Sequence, residues 1–263
     1  MKPTIPLLLI WLLLAGIPST AKTAIQPPSA PEQYRYRIVQ TLKHSTNVFT
    51  QGLSIEGDLL WESSGLYRRS FLQLRSKGSL VPIAEFHYPN RHFAEGIAVY
   101  GDYLYGLTWK SGSVYRWHKH DLQLNKRFSI EGEGWGMARW KEHLVTSNGS
   151  DILSFRDPQN LKTKRRIAVR LGLRPVYSLN DLSSDGTGIW ANIWQDNQLV
   201  RINPETGNVT GVLILDKLTE ANQQGSYENV LNGVAWDSST GTLWVTGKHW
   251  PKMYQLKIQS GQF

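Results

Sequence analysis

The 263-residue sequence predicts an all-β chain wound as a five-bladed β-propeller. Three observations predict it: a segment that recurs five times at blade length, a composition rich in tryptophan and glycine, and no long stretch of convincing helical periodicity. Eleven Trp and 23 Gly suit strands joined by tight turns, and 40% hydrophobic residues are enough for a sizeable core.

In chain order, the first element is a leader. "MKPTIPLLLIWLLLAGIPSTA" has one early lysine, an apolar core from Ile5 to Ile17, and small residues at Ser19 and Ala21. This is the pattern of a signal peptide cleaved after Ala21, and it predicts a periplasmic or secreted protein. An uncleaved anchor is the alternative, although the run is short of the roughly 20 residues that span a bilayer. Cleavage removes one Lys and no acid, taking the net charge from +8 to +7. Residues 22–34, "KTAIQPPSAPEQY", carry three prolines and little to bury, and read as a flexible lead-in to a single domain over 35–263.

The five repeats follow. They are "FTQGLSIEGDLLWESSG" from Phe49, "FAEGIAVYGDYLYGLTW" from Phe93, "EGWGMARWKEHLVTSNG" from Glu133, "SLNDLSSDGTGIWANIW" from Ser178 and "VLNGVAWDSSTGTLWVTGKHW" from Val230. Each runs from a polar or aromatic residue through a small residue and an aliphatic pair to a turn and an aromatic-rich strand. The aligned positions Gln51, Glu95, Trp135, Asn180 and Asn232 are 44, 40, 45 and 52 residues apart. The last step is lengthened by a polar insertion, Thr219 to Asn229. A further strand follows each repeat: "SFLQLR", "SVYRWH", "DILSFRDP", "QLVRINPETG" and "KMYQLKI". A short helix fits only within 211–224.

A propeller gathers the loops at one end of its first strands around one mouth, so the aligned positions converge there. A signature that only satisfied turns would repeat the same residue. Here the positions hold Gln, Glu, Trp, Asn and Asn, and variety on a repeated scaffold points to a site. The second strands end at Glu62, Trp109, Asn148, Trp194 and Lys248, placed by the same reasoning near this rim.

Several functions are excluded. The excess of 29 Lys and Arg over 21 Asp and Glu is scattered. Its densest knot, "KTKRR" at Lys162 to Arg166, is too short for a nucleic-acid arm. With no cysteine there are no disulfides, no thiol catalysis and no cysteine-ligated metal. His118 and His120 lack a third ligand nearby in sequence and read as a solvated face. No HExxH, GxSxG or Walker A segment occurs, and "GEGWG" at Gly132 to Gly136 leads into no helix. "NGS" at Asn148 and "NVT" at Asn208 are glycosylation acceptors only in a eukaryotic source.

The rim that remains combines Glu95, Gln51, Asn180, Lys248, Trp109, Trp135 and Trp194. Indole walls exclude water and can hold an ammonium over a π face. A carboxylate in such a box has its pKa raised and can shuttle a proton, while amide and lysine donors can stabilise an oxyanion. The set suits proton transfer at a carbonyl without a metal or covalent nucleophile. It suits a pocket for an amine ligand equally well.

The motifs "FTQGL", "ESSGLY", "FAEGI", "LTW", "EGWG", "SNGS", "FRDP", "LND", "ANIWQ", "INPETG", "LNGVAWD" and "VTGKHWPKMYQL", from about Tyr36 to Leu256, closely resemble those of the plant-type glutaminyl cyclases of plants and bacteria. The resemblance implies a five-bladed propeller. It also implies a glutaminyl-peptide cyclotransferase that converts N-terminal glutamine to pyroglutamate and releases ammonia, without zinc or other cofactor. It implies that Glu95 is the essential acid, with Asn180 and Lys248 as further catalytic groups. By the same resemblance Phe49, Gln51, Phe93, Trp109, Trp135, Asp181 and Trp194 bind substrate. Asp181 stands where the family has Glu, one methylene shorter. The expected partners are peptides or proteins with N-terminal glutamine, with no nucleic acid, no membrane once the signal is removed, and a monomeric enzyme. The rival reading is a catalytically silent propeller that binds amine-terminated peptides.

Overall fold

The computed structural model describes residues 30–223 and 225–261. The signal segment expected over 1–21, and the lead-in as far as residue 29, lie outside the described residues. The chain is built almost wholly from β-strands in antiparallel meanders. The first strand, β1 (Glu32–Lys43), precedes three four-stranded sheets. These are β2 (Thr50–Glu56) to β5 (Ala84–His87) through β3 (Leu59–Ser64) and β4 (Phe71–Ser76); β6 (Ala94–Tyr100) to β9 (Leu124–Ser129) through β7 (Tyr103–Thr108) and β8 (Ser113–His118); and β10 (Met137–Trp140) to β13 (Thr163–Ala168) through β11 (His143–Thr146) and β12 (Ile152–Arg156). A small hairpin, β14 (Arg170–Leu171) and β15 (Arg174–Pro175), comes next.

The remaining strands form one eight-stranded sheet. It contains β16 (Leu179–Ser184), β17 (Ile189–Ile193), β18 (Gln198–Ile202) and β19 (Val209–Ile214), then a helix α1 (Asp216–Asn222), then β20 (Leu231–Asp237), β21 (Thr242–Gly247) and β22 (Lys252–Ser260). Its order is β16-β17-β18-β19-β1-β22-β21-β20. The first strand of the chain therefore completes the last meander, pairing antiparallel with β22 from Tyr34 to Lys43. It touches β19 only through three parallel pairs, Glu32 to Tyr34. These residues correct the lead-in boundary, which was expected at 34. Tyr34 is held by its ring, 5.3 Å from Trp190, and by the bare backbone of Gly211, where a Cβ would overlap that ring.

The tight turns follow from local chemistry. Two-residue hairpin loops need positive φ, which Gly57 (φ 60°) and Gly101 (φ 61°) supply between β2 and β3 and between β6 and β7. Apolar residues form clusters between consecutive meanders. Trp61 and Leu72 of the first pack with Ile97 and Trp117 of the second, Tyr105 with Met137, Phe155 with Leu182, Leu199 with Val234, and Ala235 and Trp244 with Leu53.

The innermost strands meet backbone to backbone. A Cβ on Gly52 would lie 2.7 Å from Gly96 Cα, one on Gly96 2.5 Å from Gly136 Cα, and one on Gly136 1.9 Å from the Asn180 carbonyl oxygen. Only glycine allows that approach. Hydrogen bonds close the circle. Ser63 Oγ donates to the Glu95 carbonyl (2.6 Å), Gly96 N to Trp135 O (2.6 Å), and Ser147 Oγ to Asn180 O (2.8 Å). Val234 N donates to Asp181 Oδ2 (2.9 Å), and Asn232 Nδ2 to Thr50 O (2.8 Å).

Candidate functional site

The innermost strands β2, β6, β16 and β20 each carry a β-bulge at the aligned position. The register slips by one residue at Gln51, within Glu95–Gly96, within Asn180–Asp181 and within Asn232–Gly233. A bulge re-aims a side chain out of the regular alternation, and it does so here at one end of the axis. Gln51, Glu95, Trp135 and Asn180 consequently line one cavity of about 460 Å³, together with Phe49, Phe93, Trp109, Trp194 and Lys248. Nine of the ten site residues expected from sequence thus meet in a single pocket.

The tenth does not. Asp181 is absent from the pocket lining and fully buried. It occupies the place held by Gly52, Gly96, Gly136 and Gly233 in the other innermost strands. Its carboxylate fills space on the axis that those glycines leave, accepting the backbone N–H groups of Leu53 (3.2 Å) and Val234 (2.9 Å). The expectation that it binds substrate is corrected: it ties three innermost strands together. Burial pushes its carboxyl well above the ordinary range, against the backbone donors that favour the charge.

Glu62 is also not at the rim. It is wholly buried in a network with His44 Nε2 (2.8 Å), Thr50 Oγ1 (2.8 Å), Gln73 Nε2 (3.0 Å) and Arg75 Nη2 (3.2 Å). Burial alone would raise its pKa, but His44 and Arg75 outweigh it and hold the carboxyl at about 2. His44 reaches on to the Trp250 carbonyl (2.6 Å), so the network pins the segment before β2 to the chain entering β22.

In the pocket, Glu95 is 4% exposed, and Gln51 Nε2 donates to its Oε1 at 2.9 Å. Burial pushes its carboxyl well above the ordinary range, against the attraction of Lys248 and the Gln51 hydrogen bond and with help from Asp181 and Glu133. Lys248, 5% exposed, has its ammonium 4.6 Å over the Phe49 ring. Burial lowers its pKa to about 8, against the pull of Glu95 and Glu228. Asn180 is 3% exposed and its Oδ1 has no protein partner.

The walls are a chain of rings. Phe49 meets Phe93 edge-on at 6.2 Å, Phe93 meets Trp109 at 5.5 Å, and Trp135 meets Trp194 at 5.9 Å. A residue overlooked in the sequence joins the two halves. Glu133 Oε2 accepts both the Trp109 Nε1–H (2.8 Å) and the Trp135 Nε1–H (2.9 Å). Those two indole donors are thereby committed. The polar insertion at 219–229 also reaches the site, since Tyr227 and Glu228 from it border the cavity, with Leu66, Gln195 and Val230 completing the lining.

His118 and His120 are both exposed, and the described residues contain no cluster of three or more His, Asp or Glu able to hold a metal ion. The pocket itself combines one buried carboxylate, an amide, a lysine of lowered pKa and an aromatic box open at one end. It can move a proton at a bound amine and meet developing negative charge.

A family profile described as glutamine cyclotransferase matches residues 8–258. The chain is 35% identical over 227 residues to a glutaminyl-peptide cyclotransferase of Arabidopsis thaliana, covering 84% of this chain and 71% of that one. It superposes on the crystal structure of Myxococcus xanthus glutaminyl cyclase with a TM-score of 0.83 at 33% identity, covering 88% of this chain and all of the other.

Proposed function

The chain belongs to the glutamine cyclotransferase family, and on that premise we propose that this pocket converts the N-terminal glutamine of peptides and proteins to pyroglutamate with release of ammonia. The observation that carries the reading is Glu95: a carboxylate of raised pKa, buried in an aromatic box and hydrogen-bonded to Gln51.

The reaction is intramolecular. The free α-amine attacks the side-chain carboxamide carbon; a C–N bond forms, the C–NH₂ bond breaks, and ammonia leaves. Glu95, as carboxylate, takes a proton from the attacking amine and returns it to the departing nitrogen, so no proton is gained or lost overall. The carbonyl oxygen gathers charge as the ring closes. With the Trp109 and Trp135 N–H groups held by Glu133, Asn180, Lys248 and the Trp194 indole N–H are the donors left to meet that charge. Phe49, Phe93, Trp109, Trp135 and Trp194 fold the glutamine side chain back on its amine. Orientation of this kind supplies much of the rate of an intramolecular closure.

The finer features belong to the same proposal. A five-bladed propeller is supported by reading the eight-stranded sheet as two meanders joined at the short β1–β19 contact, beside the three separate sheets. Export through a cleaved signal, action as a monomer and independence from zinc complete it. The test is to incubate the mature chain with a glutamine-initiated dipeptide and a chelator, following ammonia and the matching mass loss. Release at an undiminished rate supports the reading. Tight binding of the dipeptide without release would mark a silent amine-binding pocket instead.

A further inference from the structure

Gln51 holds Glu95 only if its carboxamide presents nitrogen rather than oxygen to the carboxylate. Nothing about Gln51 itself selects that orientation, since its two ends are nearly the same shape. The selection comes from the last innermost strand. Asn232 is fully buried, lies outside the pocket lining, and projects from the Asn232–Gly233 bulge of β20. Its Nδ2 donates at 2.8 Å to the carbonyl of Thr50 and at 3.2 Å to Gln51 Oε1. A backbone carbonyl can only accept. If the Asn232 amide turned over, its oxygen would face Thr50 O across that distance, acceptor against acceptor. With Nδ2 fixed, Gln51 must offer Oε1 to it, and so must offer Nε2 to Glu95.

We propose that Asn232 is a positioning residue for the cyclisation, setting the polarity of a relay from the Thr50 carbonyl through Asn232 and Gln51 to the Glu95 carboxylate. This rests on the proposed reaction but adds a residue that touches no substrate. Thr50 is itself anchored, since its hydroxyl donates to Glu62 at 2.8 Å. The charged and titratable groups acting on Glu95 are Lys248 after β21, Asp181 on β16, Glu133 before β10 and Tyr88 after β5. The hydrogen bonds of the relay itself run only through uncharged amides up to the Glu95 carboxylate.

The experiment compares Asn232→Ala, Gln51→Ala and the double variant, each assayed for ammonia release across pH with one dipeptide. Asn232→Ala lowers kcat/KM roughly tenfold, the effect of one lost orienting hydrogen bond. It also moves the acidic limb to higher pH, because a donor that favoured the carboxylate is no longer held on it. The double variant equals Gln51→Ala. Additive losses, or an unmoved acidic limb beside a lowered Tm, would show a merely structural role and overturn the proposal.

A second readout needs neither a folded variant of Asn232 nor activity. In the ¹⁵N spectrum of the wild-type chain, the Gln51 side-chain amide follows the Glu95 titration and the Asn232 amide follows it more weakly. Both responses vanish in Glu95→Gln. Amide signals blind to that titration would refute the relay. A wild-type chain that shows them but releases no ammonia would refute the proposed reaction and leave the relay standing.

Discussion

Replacing Glu133 by alanine should cost both rate and pH behaviour, and the structure sets the size of each. One oxygen of Glu133 accepts the indole N–H groups of Trp109 and Trp135, at 2.8 and 2.9 Å. A hydrogen bond to a charged group contributes roughly 1.5–3 kcal/mol when well shielded. Glu133 is partly exposed, so solvent replaces much of this, and we take about 2 kcal/mol for the pair together. If that energy holds the pocket walls in the reactive geometry, its loss lowers kcat/KM by roughly 30-fold. The charge acts separately. Glu133 is one of the groups that raises the Glu95 pKa, so its removal moves the acidic limb to lower pH, opposite to Asn232→Ala. Glu133→Gln keeps an acceptor oxygen and removes the charge. It should retain most of the rate and show the same downward shift. The assay is continuous ammonia release across pH, with tryptophan fluorescence reporting the walls. Wild-type kcat/KM in Glu133→Ala, or an acidic limb moving upward, would refute the reasoning.

Three further outcomes follow from the same geometry. Lys248 is held at about 8, so activity that depends on its ammonium falls as pH rises through that value. Lys248→Met lowers kcat and removes this limb, and the ratio of variant to wild-type profiles cancels the substrate's own amine titration. Glu62 is lowered from 4.5 to about 2, so it contributes stability that is complete above pH 4.5 and lost as pH falls through 2. The contribution is about 3 kcal/mol, and acid unfolding of Glu62→Gln should show a flatter pH dependence over that window. In Gly136→Ala the new Cβ would sit 1.9 Å from the Asn180 carbonyl oxygen, where ordinary contact begins at 3.4 Å. Calorimetry should find a loss of at least about 3 kcal/mol, and a Tm within a degree or so of wild type would contradict the close axial packing.

Much of this was legible in the sequence, for a definable reason. The repeat places Gln51, Glu95, Trp135 and Asn180 at equivalent points of equivalent strands, so any architecture that arranges the repeats in a ring brings them together. The resemblance then carried the matched pocket residues. What the sequence hid depended on direction rather than position. Asn180 and Asp181 are neighbours in one bulge, yet one faces the pocket and the other the axis, and only the register slip between Leu179 and Leu182 separates them. Glu62 lies inside β3, two residues short of its end, whereas Trp109 and Lys248 directly follow β7 and β21, and it turns inward to His44 and Arg75. Glu133 precedes the aligned Trp135 by two residues and looks like a loop charge until both indoles are seen to share it. Asn232 belongs to the aligned set, but its role needs the identity of its acceptor, the Thr50 carbonyl, which lies 182 residues away in the chain. The closing of the last meander by β1 was hidden for a similar reason, since Glu32 to Tyr34 sit next to a proline-rich stretch that gives no sign of pairing.

The most direct test of the central claim is Glu95→Gln, measured for activity and stability on the same sample. The account predicts that ammonia release from a glutamine-initiated dipeptide is abolished while the dipeptide still binds. It also predicts a higher Tm at neutral pH. A carboxyl whose folded pKa is raised stabilises the fold below its unfolded pKa, and that stability is lost as pH rises through the folded value, so a neutral amide removes the loss. Near-normal turnover in Glu95→Gln would contradict proton transfer by Glu95, and with it the mechanism proposed for this pocket.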